Sequence, residues 1–114
     1  MSEEKASYHA GVCLRVYMNE IDTWQGEPFY RALFALLQRE GVSGVTVLRG
    51  IEGFGPAHHL TTERLPDIAD DLPIIIEIVE RPENAARLVS LLDTLVQHGT
   101  IVQIPIMIVD RKTD

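Results

Sequence analysis

Hydrophobic and polar positions alternate cleanly along "GVCLRVYM" (11–18). Val12, Leu14, Val16 and Met18 fall on one side, and Cys13, Arg15 and Tyr17 on the other. A period of two predicts a first strand. "NEIDTWQGEP" then reads as a loop, with Pro28 suited to the first turn of a helix. Phe29, Ala32, Leu33, Leu36 and Leu37 recur at helical spacing up to Gly41, which ends the segment. The β-branched run "VSGVTVLRG" predicts strand two. "PIIIEIVE" (73–80) predicts strand three, with Ile74, Ile76 and Ile78 opposite Ile75, Glu77 and Val79. Pro82 opens a second helix carrying Ala85, Leu88, Leu91, Leu92, Leu95 and Val96, expected to stop at Gly99, and "TIVQIPIMIV" (100–109) is strand four.

The order β-α-β-β-α-β is that of an α+β, ferredoxin-like domain: a four-stranded antiparallel sheet, spatial order 4-1-3-2, with two helices on one face. Pro105 fits strand four as an edge, because proline interrupts ladder hydrogen bonds. Strands one, three and four each have an apolar face, expected under the helices. Each also has a mixed face: Cys13, Arg15, Tyr17; Ile75, Glu77, Val79; Gln103, Pro105, Met107. Such a face is too apolar for water alone and too polar for a dry core, so it suits an oligomer interface; an open, half-wet face is the alternative. Arg15 and Glu77, on neighbouring strands, are expected to pair, and Arg15, Tyr17, Glu77 and Gln103 form the candidate interface set.

The 114 residues suffice for one domain, read as a flexible arm (1–10), a single domain (11–110) and a short tail (111–114). No apolar run reaches the ~20 residues that span a bilayer, and the acidic N-terminus lacks the apolar core of a secretory signal. Cys13 is the only cysteine, so no intramolecular disulfide can form. A cytoplasmic, non-membrane protein is the expectation. A net charge of −7 with scattered basic residues disfavours a general nucleic-acid binder.

About twenty residues separate Gly53 from Pro73, far more than a hairpin needs. The segment holds Phe54, Leu60, Leu65, Ile68 and Leu72, enough apolar groups to fold back or to dock on a partner. It opens with "LRGIEGFGPAHHL" (48–60), whose G-x-x-G-x-G pattern is not that of a dinucleotide or Walker loop. Two readings stay open there. Successive backbone N–H groups beside Arg49 suit an anion; alternatively the glycines only serve backbone geometry, through positive φ and a bulge. The adjacent His58 and His59 point to opposite sides of an extended chain and lack metal-ligand spacing. Asp70 and Asp71, before Pro73, read as turn residues rather than an acid–base pair. Cys13 reads as a packing residue rather than a nucleophile. Trp24 reads as a packing anchor or a stacking platform.

"GVSGVTVLRGIEGFG", then a histidine, then "DDLPIIIEIVE" resembles the PII-like uncharacterised family called domain of unknown function 190. The similarity covers roughly residues 11–109, and "LRVYMNEIDTWQGEPFYRALFALLQREGVSG" also looks like that family's first strand and helix. The resemblance implies a homotrimer related to the PII signalling proteins. In those proteins the connection between strands two and three is an effector loop. Small molecules, commonly adenine nucleotides, bind in subunit clefts at its base, and the loop docks on an enzyme or a membrane transporter or channel. Carried to this chain, residues 51–72 are the loop. Arg49, Gly50, Gly53, Phe54, Gly55, His58 and His59 are the candidate ligand-binding set, for a small anionic ligand such as an adenine nucleotide. No catalytic or metal-binding residue is expected. The alternatives are a small enzyme using His58 or His59 as general base with Arg49, and a ligand-free assembly subunit.

Overall fold

The computed structural model describes residues 6–54, 61–62 and 71–111. Its elements are β1 (Tyr8–Asn19), β2 (Thr23–Trp24), β3 (Glu27–Pro28), α1 (Phe29–Arg39), β4 (Gly44–Arg49), β5 (Glu52–Gly53), β6 (Thr61–Thr62), β7 (Pro73–Glu80), α2 (Pro82–Leu95) and β8 (Thr100–Val109). The four long strands form one antiparallel sheet in the order β4-β7-β1-β8, so β8, which carries Pro105, is an edge. Strand β1 begins at Tyr8, inside the segment read from sequence as an arm; residues 8–10 are strand because they pair with Val109–Met107.

Both helices pack on one face of this sheet. Phe29, Leu33 and Leu37 of α1 and Ala85, Leu88 and Leu92 of α2 are buried against Val12, Leu14, Val16 and Met18 of β1 and Ile74, Ile76 and Ile78 of β7. Helix α1 closes in a Schellman arrangement. Gly41, at φ +71°, donates its N–H to Gln38 O, and Val42 donates to Leu37 O. Helix α2 starts with Pro82 at its first position and ends at Leu95, earlier than the expected stop at Gly99. Gly99 instead turns the chain into β8. Its φ is +142°, and a Cβ there would stand 2.5 Å from the Tyr17 carbonyl oxygen. Because that atom is backbone and cannot swing aside, Gly99→Ala is expected to cost about 1–3 kcal/mol, read as a lower urea midpoint with unchanged slope.

Register corrects the assignment of faces on the last strand. Gln103 stands opposite Leu14, Pro105 opposite Val12, and Met107 opposite Ala10. Directly opposed residues share a face, so Gln103, Pro105 and Met107 lie on the helix side, at an edge where all three stay exposed. The open face instead receives Val102 opposite Arg15, Ile104 opposite Cys13, and Ile106 opposite Gly11. Gln103 is therefore not on the face of Arg15, Tyr17 and Glu77. Alternation identifies the two faces of a strand; only its register on a neighbour says which of them meets the helices.

The candidate functional site

The open face is built of cross-strand rows. In the central row Thr46, Glu77, Arg15 and Val102 follow one another across the sheet. Arg15 Nε donates to Glu77 Oε2 at 2.9 Å, with both side chains partly exposed. Hydrogen bonds to Tyr17 and then to Glu77 hold the Arg15 guanidinium above its ordinary pKa. The flanking rows are mostly apolar: Gly44, Val79, Cys13 and Ile104 on one side, Leu48, Ile75, Tyr17 and Thr100 on the other. Cys13 is buried within this layer, and Tyr17 and Leu48 are exposed. The Arg15–Glu77 ion pair thus sits among mostly apolar rows on the face that neither helix covers.

At the end of β4 the chain enters the long connection. Arg49 is its last strand residue, and the guanidinium is engaged with Glu20, which follows β1. Arg49 Nε and Nη2 donate to Glu20 Oε1 at 3.1 and 3.0 Å. The same oxygen accepts the Leu72 N–H at 3.4 Å, while the Glu20 N–H donates to the Leu72 carbonyl at 2.8 Å. Gly50 N–H also donates to Pro73 O at 2.7 Å. The last residue of β4 and the last residue of the connection are therefore joined through one carboxylate. Sequence reasoning missed Glu20, because it lies in a polar loop with no period to mark it.

The glycines have a packing reason. A Cβ at Gly50 would lie 3.3 Å from Pro73 Cβ, and one at Gly53 3.1 Å from Pro73 Cγ. Neither is among the positive-φ glycines, so the left-handed backbone expected there does not hold, and close approach to Pro73 is the reason the structure gives. Gly53 pairs with Thr61 across β5 and β6, and Phe54 is exposed. Gly55, His58, His59 and Asp70 lie outside the described residues. Asp71 is buried at the entry to β7. Among the described residues no group of three or more His, Cys, Asp or Glu is placed to hold a metal, and no helix is long and apolar enough to cross a membrane.

A second carboxylate that sequence reasoning missed locks the opposite end of β7. Glu80 is 3% exposed. It accepts hydrogen bonds from Ser43 Oγ at 2.7 Å, Ser43 N at 3.2 Å, Arg81 N at 2.8 Å and Asn84 Nδ2 at 3.0 Å. Burial pushes its pKa up. The donors from Ser43, Arg81 and Asn84 outweigh that and bring it down from 4.5 to about 2. Glu80 thereby ties the α1–β4 turn to the start of α2. The signal for it in sequence was an acidic residue in the apolar register of Ile74, Ile76 and Ile78.

Sequence comparison with known proteins gives the family. A UPF0166 protein of Methanocaldococcus jannaschii is 33% identical over 89 residues, covering 78% of this chain and 82% of the relative. A UPF0166 protein of Aquifex aeolicus is 31% identical over 74 residues, covering 65% of this chain and 70% of the relative. The family profile DUF190, described as "Uncharacterized ACR, COG1993", matches residues 11–108, from the first core strand to the last, and the chain belongs to that family.

Proposed function

We propose that this DUF190 protein is a PII-like, non-enzymatic regulator. It assembles as a homotrimer through the open sheet face and binds a small anionic ligand, an adenine nucleotide being one candidate, at the base of the loop 51–72. Ligand binding changes the loop's docking on a partner, such as an enzyme or a membrane transporter or channel. The observation that carries this reading is the Glu20 carboxylate, which already occupies an arginine fork and a backbone N–H at the two ends of the loop. A phosphate or carboxylate ligand offers the same acceptor geometry and would replace Glu20 there. With side chains 49% and 21% exposed, the Arg49–Glu20 pair is worth no more than about 1 kcal/mol, so a ligand of ordinary affinity can displace it. Exchange of Glu20 for ligand frees or re-ties Leu72, which supplies the two loop states that a switch requires.

A thermal-shift screen with ATP, ADP, cyclic AMP and bicarbonate tests the site. A specific stabiliser raises Tm by mass action. Arg49→Ala is expected to abolish that shift, and Glu20→Gln, which removes one charged internal competitor, to tighten binding up to about fivefold. Stabilisation that survives Arg49→Ala would place the ligand elsewhere and overturn this reading.

A further inference from the structure

A concavity lies between the β1–α1 connection, just beyond Glu20, and the end of α2. It is a cleft of about 300 Å³, at the small end of ligand-site volumes. Ile21, Trp24, Phe29 and Leu95 supply its apolar walls, and Asp22 supplies a carboxylate. Thr23, Gln97 and His98 complete the described lining. None of the described lining residues is lysine or arginine.

Local structure fixes both functional groups. Trp24 sits on a two-stranded ribbon, β2 with β3, whose two-residue turn places Gln25 at φ +51° and Gly26 at φ +85°. Two positive φ values are the signature of a type I′ hairpin, the turn that matches strand twist. The ribbon holds the indole, 37% exposed, at the cleft. Asp22 is held from three sides. Its carbonyl accepts the Phe29 N–H at 2.8 Å, its N–H donates to Asn19 O at 3.1 Å, and its Oδ2 accepts the Asn19 N–H at 3.0 Å. The carboxylate is thus oriented before any ligand arrives, which lowers the ordering cost of binding.

We infer that this cleft is a binding site for a small organic cation bearing apolar substituents, of the alkyl- or quaternary-ammonium class. An indole face attracts such a cation through its quadrupole, and the attraction grows where water is excluded. Asp22 adds the opposite charge, and Ile21, Phe29 and Leu95 take the alkyl groups. An anion is disfavoured by the Asp22 carboxylate in the lining. A neutral apolar ligand would gain the walls but leave Asp22 uncompensated. This site is chemically the inverse of the one proposed at Arg49 and stands independently of it.

Trp24 is the only tryptophan in the chain, so its fluorescence reports the site directly. Choline chloride, titrated at constant ionic strength, is expected to produce a saturable change in emission. The neutral isostere 3,3-dimethyl-1-butanol is expected to bind at least about tenfold more weakly. Asp22→Asn should weaken choline by a similar factor while keeping Tm, because an amide oxygen can still accept the Asn19 N–H. If that variant does not keep its Tm, the wild-type comparison of choline with its isostere decides. Absence of a saturable response to choline, equal binding of the isostere, or full affinity in a stably folded Asp22→Asn would each overturn the inference.

Discussion

Glu80→Gln is expected to unfold at a markedly lower urea concentration than the wild type at neutral pH, and to converge with it as the solution is acidified to pH 2. The argument is one of linkage. The carboxyl titrates at 4.5 in its reference state and at about 2 in the fold, so folding favours the ionised form. A depressed folded-state pKa contributes stability that is fully present above the unfolded value. That stability is lost as pH falls from about 4.5 through about 2. The size of the shift corresponds to about 3 kcal/mol at neutral pH, a large fraction of a small domain's net stability. Glutamine keeps the shape but turns an amide NH2 toward a ring of donors from Ser43, Arg81 and Asn84, leaving some of them unsatisfied in a buried place. Other carboxylates titrate alike in both proteins, so the difference between the two urea curves isolates Glu80. A difference that stays constant from pH 7 to pH 2 would show that packing, not charge, sets the effect.

The second large effect concerns assembly. Ile104→Glu should leave a monomer in place of the proposed trimer in sedimentation or light scattering, with its circular dichroism spectrum retained. Ile104 stands beside Cys13 on the sheet face opposite α1 and α2, and it is only partly buried in the single chain. A glutamate there can reach water in a monomer. In a packed subunit interface it would be an unpaired buried charge, costing several kcal/mol and weakening association on the order of a thousandfold or more. Glu77→Ala, which strands Arg15 in the same surface, should act in the same direction with a smaller effect. Wild-type mass in both variants would argue that this face is an open, half-wet surface and would remove the trimer from the proposed function.

The ion pairs of the open face and of the loop base differ in how visible they were. Arg15 and Glu77 are 62 residues apart, yet their pairing follows from alternation on two strands expected to be neighbours. Arg49 and Glu20 are only 29 apart, and their pairing was not legible. Glu20 stands just beyond β1, where no repeat constrains the direction of a side chain. Arg49 could be singled out as a cation beside glycines, but its partner depended on how the β1–α1 connection and the two ends of the long loop meet. The same holds for Trp24. Its type was evident, while its place at a cleft followed from the ribbon turn and from where α2 stops. Helix α2 ends at Leu95, where Val96 leaves helical geometry, and Gly99 instead passes close to Tyr17 O.

By itself, the sequence determined the order of elements, the two-layer α+β fold, the apolar faces of β1 and β7, and the family. These rest on periodicity and on local punctuation by proline and glycine, which act over a few residues and need no knowledge of the rest of the chain. Only the tertiary structure decided which face of β8 joins Arg15, that Glu20 ties the two ends of the long loop together, and that Glu80 locks a turn to a helix. Those outcomes depend on strand register and on side chains from separate connections meeting in space, and no period along the chain encodes either.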